Sequence, residues 1–121
     1  MIRVGEYEIG YEKVVVYLDP KMDGGYFKFL PMPRVIIGGE SGLWKNIAHI
    51  LMHEAFEWAC VRLHVRWEPS CSIGNDNGDY KFILSHGEMN EACALASELI
   101  VNCGWDLHKA WKKMKRKGKK K

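Results

Sequence analysis

No stretch of this chain approaches the ~20 consecutive apolar residues that a membrane span requires. Its opening, Met1-Ile2-Arg3-Val4-Gly5, also lacks the basic and apolar regions of a secretory signal. These two absences lead us to expect a soluble, cytoplasmic protein with no membrane partner. Cysteine is sparse and unpaired: Cys60, Cys71, Cys93 and Cys103 include no C-x-x-C. That spacing argues against a structural zinc knuckle and for reduced thiols, mainly buried in the core. Proline is missing between Pro33 and Pro69, and lysine between Asn46 and Val61. The first absence leaves room for a long helix. The second leaves that helix without the Lys and Glu mixture that usually keeps an exposed face in solution.

Charge of one sign is missing as well. From Lys109 to Lys121 there are nine basic residues and no acidic one, and subtracting them from 18 leaves nine basic against 15 acidic in residues 1–108. The overall +3 therefore averages a body of net −6 and a tail of +9. With 121 residues, 47% of them hydrophobic and 12% aromatic, the chain can build one real core. The expected organisation is one domain over 1–108 and a basic, partly disordered tail over 109–121.

Residues 2–39 carry β-branched and aromatic side chains divided by Gly, Pro and Asp, a strand pattern. Val14-Val15-Val16-Tyr17-Leu18 is stopped by Asp19-Pro20, and Asp23-Gly24-Gly25 turns the chain into Tyr26-Phe27-Lys28-Phe29-Leu30, which suggests a hairpin between those two runs. Pro31-Met32-Pro33 interrupts, and Arg34 to Gly38 resumes as a short buried strand. Ser41 is placed to cap a helix from Gly42 or Leu43 to near Leu63. Its apolar arc is expected to hold Trp44, Ala48, Leu51, Met52, Ala55, Phe56, Ala59 and Leu63. Its polar arc is expected to hold Asn46, His49, His53, Glu54 and Glu57. Residues 65–84 read as a second hairpin around Gly74-Asn75-Asp76-Asn77-Gly78-Asp79. Calcium is a candidate for that loop, but it lacks the terminal Glu and helical flanks of an EF-hand and reads better as a polar turn. Ser85 with Glu88 forms a capping box that starts a second helix, expected to end at Cys103-Gly104, with a last short helix capped by Asp106. The fold class is therefore α+β, a small, mostly antiparallel sheet packed against two main helices.

The chemistry concentrates in Ala48-His49-Ile50-Leu51-Met52-His53-Glu54-Ala55-Phe56-Glu57. On a helix His49, His53 and Glu57 recur every fourth residue and line one stripe with Glu54 beside it, a donor set suited to a metal ion. Plainer roles are open to the same residues. His49 can bond a backbone carbonyl, Glu57 can pair with Arg62 or Arg66, Glu88 serves as a cap, His86 as a turn residue, and His64 and His108 as surface.

Two segments together, His53-Glu54-Ala55-Phe56-Glu57 and Glu91-Ala92-Cys93-Ala94-Leu95-Ala96-Ser97-Glu98-Leu99-Ile100, resemble the zincin metallopeptidases. The likeness is to their small ImmA/IrrE-like branch, and it spans roughly residues 34–103. In that family H-E-x-x-H supplies two histidine ligands and a Glu that activates water, and a following helix supplies a third, Glu ligand. The resemblance implies His53 as first ligand, Glu54 as general base and Glu91 as third ligand. The second histidine is replaced, because Glu57 occupies its place in an H-E-x-x-E segment. Carboxylate ligation keeps zinc in play while favouring manganese or iron more than a two-histidine site does. His49 offers an alternative imidazole, as a ligand or a partner to one.

The implied function is a metal-dependent hydrolase acting on a protein or peptide, slow or inactive because two anionic ligands weaken the Lewis acidity of the ion. The competing reading is a zincin-derived binding or regulatory protein that has lost catalysis, with the basic tail as a weak, sequence-blind auxiliary contact for nucleic acid. By analogy alone, a chain of this size suggests a small phage-like or host-encoded regulator.

Overall fold

The computed structural model describes residues 1–64, 66–67 and 81–119. Strands β1 (Ile2–Ile9) and β2 (Glu12–Asp19) form a hairpin. Gly10 takes φ +63° at the first of its two loop positions, a conformation that glycine adopts without a Cβ penalty. After Asp19 the chain crosses to β3 (Gly25–Lys28) and returns as β4 (Arg34–Gly38), giving the order β1-β2-β4-β3. The β2–β4 pairing is parallel and the other two are antiparallel.

The expected hairpin between the Val14 and Tyr26 runs does not form, because β4 lies between them. The reason is burial. Val35, Ile36 and Ile37 are all buried, and a run that is apolar on both faces belongs in the middle of a sheet. The alternating exposure of β3 suits an edge.

One face of the sheet carries Val14, Val16, Leu18, Val35 and Ile37 into the core, where both helices meet it. Helix α1 (Trp44–Arg62) buries Ile47, Leu51, Ala55, Trp58 and Ala59 there. Its start differs from expectation. Leu43 is the cap position and makes no side-chain cap bond, while Ser41 Oγ accepts from the Leu43 N–H at 3.3 Å, ahead of the helix. The apolar arc is also rotated from the expected one, since Met52 is 64% exposed whereas Glu54 and Glu57 are 5% and 7% exposed.

A second, two-stranded sheet pairs β5 (Arg66–Trp67) with β6 (Lys81–Phe82), antiparallel as expected. The candidate calcium loop and Cys71 lie outside the described residues. Helix α2 (His86–Lys119) opens on the anticipated capping box: Glu88 N–H donates to Ser85 Oγ at 3.1 Å, and Ser85 N–H donates to Glu88 Oε1 at 2.9 Å. That reciprocal bonding holds the Glu88 carboxyl below its usual range.

The helix does not stop at Gly104 but runs on through the basic segment as far as Lys119. Cys103, Leu107 and Ala110 are buried, with Trp111 and Met114 packed against the same core. This continuing apolar stripe outweighs the ~1 kcal/mol that a glycine costs inside a helix. Two cross-links dock the far half of α2: Tyr7 Oη donates to Asp106 Oδ2 at 2.7 Å, and Trp111 Nε1 donates to the Gly42 carbonyl at 2.9 Å. His108, expected at the surface, is half-buried among aromatic rings, 4.7 Å from Trp44 and 5.2 Å from Trp111 between ring centres. Cys60 and Cys103 are buried thiols as expected, but Cys93 is exposed. No helix among the described residues is long and apolar enough to cross a membrane.

Two glycines should respond oppositely to alanine. A Cβ at Gly38 would collide with the carbonyl oxygens of Met22 and Gly24, where Gly38 N–H donates to Gly24 at 2.7 Å. At Gly104 a Cβ meets nothing within 4 Å. In chemical denaturation, Gly38→Ala should cost about 1–3 kcal/mol, and Gly104→Ala should add about 0.5–1 kcal/mol.

Candidate metal centre

The side chains of α1 that face the sheet recur at Ile47, Leu51, Glu54 and Trp58, the four-three-four spacing of a buried helix stripe. One member of that stripe is a carboxylate. Its room is made by Gly25 of β3, where a Cβ would lie 2.8 Å from Glu54 Cγ and 2.9 Å from Ile50 Cγ2. Glu57, three residues on, is buried towards the second helix, and His53 stands exposed between the two acids.

His53 Nε2 lies 2.8 Å from Glu57 Oε2 and 3.7 Å from Glu54 Oε2. One donor atom from each of the three falls within 4.8 Å of the others. Burial pushes the Glu54 carboxyl up to about 7, the negative charge of Glu57 adds to the rise, and His53 opposes it.

The cluster stands between two hollows. Gly24, Gly25, His49, Ile50, His53 and Glu54 line one, of about 340 Å³, along the edge of the sheet. The other, of about 500 Å³, opens towards α2 and is mostly apolar, with Met52, Phe56, Phe82 and Ile100 in its wall beside His53 and Glu57. His49 lines both hollows yet is exposed and stands outside the three-residue group.

Glu91 is not brought to the cluster. It is exposed, and α2 turns Cys93, Ala96, Ser97 and Ile100 towards His53 and Glu57 instead. At about 100° per residue, Glu91 sits roughly 160° around the helix from Cys93 and opposite Ile100. Glu91, expected as third ligand, thus stands outside the three-residue group among the described residues. Arg62, one proposed partner of Glu57, is engaged elsewhere, with Nε 2.9 Å from Glu12 Oε2. Three contributors have no signal in the sequence: Gly25 reads only as part of a turn, and Phe82 and Cys93 carry nothing local that says they face His53.

The donor set fits a divalent ion. Two atoms held by one zinc at about 2.0–2.1 Å in tetrahedral geometry stand about 3.4 Å apart. His53 Nε2 and Glu57 Oε2, now 2.8 Å apart, would part by roughly half an ångström to share one ion, with Glu54 Oε2, 3.7 Å from the imidazole, left beside them as a base. One imidazole with one carboxylate is a harder pair than two imidazoles, which admits manganese and iron beside zinc.

The raised Glu54 pKa has a definite stability consequence in chelator-treated protein. The native state keeps its proton between about 4.5 and about 7, where the unfolded chain has lost it. Stability should therefore fall as pH rises through that window and level off above it. Glu54→Gln should remove this component, seen as a smaller difference between denaturation midpoints measured at the two ends of the window. Searches of protein-family models, of curated proteins and of solved structures each find no match to this chain.

Proposed function

We propose that the chain is a metal-dependent hydrolase of the zincin type, acting on a peptide or protein, with His53 and Glu57 as ligands and Glu54 as general base. The observation that carries this reading is the convergence of one imidazole and two buried carboxylates on α1, within 4.8 Å of one another and open to two hollows. When bound, a divalent ion supplies Lewis acidity, polarising an acyl oxygen and lowering the pKa of water towards neutrality.

The residues of the chain do the remainder. Glu54, with its carboxyl pushed up to about 7, is matched to taking a proton from water near neutral pH and returning it to a departing amine. β3, which opens at Gly25 in the wall of the smaller hollow, is the outer strand, and among the described residues its far edge has no strand partner. Such an edge suits an extended peptide, which would add to it by main-chain hydrogen bonds. The apolar wall of Met52, Phe56 and Phe82 would take a side chain of that peptide. The free thiols of Cys60, Cys93 and Cys103 accord with work in the cytoplasm.

A second reading, a binding or regulatory protein without turnover, draws on one observation. The imidazole nitrogen needed for an ion already pairs with Glu57 at 2.8 Å.

Metal titration by calorimetry and cleavage of unfolded casein test the two together. Zinc, manganese or iron(II) should bind near stoichiometrically to the wild type, and His53→Ala and Glu57→Gln should abolish that binding. Glu54→Gln should keep metal and lose about 10²- to 10⁴-fold in turnover. Metal binding without cleavage would favour the second reading. Absence of metal binding by the wild type at micromolar concentration would sink the hydrolase.

A further inference from the structure

Residues 109–119 of the basic segment belong to the outer half of α2, whose inner face is already used. Leu107 and Ala110 are buried, and Trp111 and Met114 pack against the same core. Beyond the edge of that buried stripe, Trp105, Lys109, Lys112, Lys113, Arg116 and Lys117 are all exposed. At about 100° per residue these six side chains fall within an arc of about 140°. Lys109, Lys113 and Lys117 follow one another at four-residue intervals, about 6 Å apart along the axis, close to the reach between successive phosphates of an extended strand.

A shallow hollow of about 300 Å³ runs beside this row, with Arg3 of β1 on its far bank and an apolar floor of Ile2, Val4 and Met114. At the head of the row stands Trp105, 69% exposed, with Lys109 Nζ 5.5 Å from its ring centre. Its one neighbouring acid in this part of the helix, Asp106, is held by the Tyr7 hydroxyl at 2.7 Å.

We propose that this outer face of α2 binds single-stranded nucleic acid, the lysine row and Arg116 meeting consecutive phosphates and Trp105 stacking on a base. Charge complementarity names a polyanion, and an exposed tryptophan set among cations is the platform on which unpaired bases stack. A duplex fits less well, because the remainder of the body, with a net charge of −6 over residues 1–108, would face its second strand. An anionic membrane fits less well too. The apolar side of this helix, which would have to enter the lipid, is packed into the core.

The test is fluorescence anisotropy of a short labelled oligothymidylate with the full chain, between roughly 50 and 200 mM salt. Lys113→Gln/Lys117→Gln should weaken binding at least tenfold at the lower salt and flatten the slope of log K against log salt by about 1.4, two phosphates at ~0.7 each. Trp105→Ala should weaken binding roughly five- to a hundredfold with an unchanged slope. Lys115 lies outside this arc, about 120° from Lys109 and about 160° from both Lys113 and Lys117, its Nζ 5.8 Å from the Trp111 ring centre. Lys115→Gln should leave both quantities as in the wild type. The proposal is overturned if the wild type shows no salt-dependent binding, or if Lys115→Gln matches the double variant. It is equally overturned if phosphatidylserine vesicles bind while the oligonucleotide does not. Circular dichroism of each variant confirms that the helix is intact.

Discussion

A carboxylate placed where a core residue belongs is the constraint around which this molecule is arranged. Glu54 continues the sheet-facing stripe of α1 between Leu51 and Trp58, where an apolar side chain would add to the core at no electrostatic cost. Its tolerance there has two local sources. Gly25 withholds a Cβ from the space that the Glu54 methylenes occupy, and His53 presents a nitrogen to both acids. The remaining penalty shows as a carboxyl that resists ionisation. Structural carboxylates are seldom buried beside a second acid, and a perturbed group in a cleft is a recognised mark of a working site.

Helix α2 divides its length between two tasks. Its first half closes the core with Ala92, Ala96, Leu99 and Cys103, and small residues at Ala55, Ala59, Ala92 and Ala96 let α1 and α2 come close. Its second half carries the positive charge, and the Tyr7–Asp106 and Trp111–Gly42 hydrogen bonds hold that half against the body. The acidic cluster on α1 and the basic outer face of α2 are thus attached to the same core.

Much of this was legible locally. The Asp19-Pro20 stop, the Arg34–Gly38 strand and the reciprocal Ser85–Glu88 cap depend on neighbours within a few residues, and each forms where its sequence signal lies. Local signals misled where a distant partner decided. Gly104 has the look of a helix end, yet the core contacts of Leu107 and Ala110 carry the helix past it. The Tyr26 run looks like the partner of the Val14 run, yet the fully apolar β4 claims the centre of the sheet. By polarity Glu54 and Glu57 belong on the outer face of α1, yet the core turns them inward and leaves Met52 in solvent.

By itself, then, the sequence determined an α+β chain with an acidic body, a basic end and a His53-Glu54-x-x-Glu57 helix, because composition, capping and one-turn spacing are properties of short segments. Only the tertiary structure decided which of those groups meet. The rotation of each helix about its own axis is set by the whole core, and a shift of a single residue in phase turns a side chain by about 100°. That rotation buried Glu54 over Gly25, sent Glu91 away from the cluster, and lined up the lysines of α2 on one exposed face.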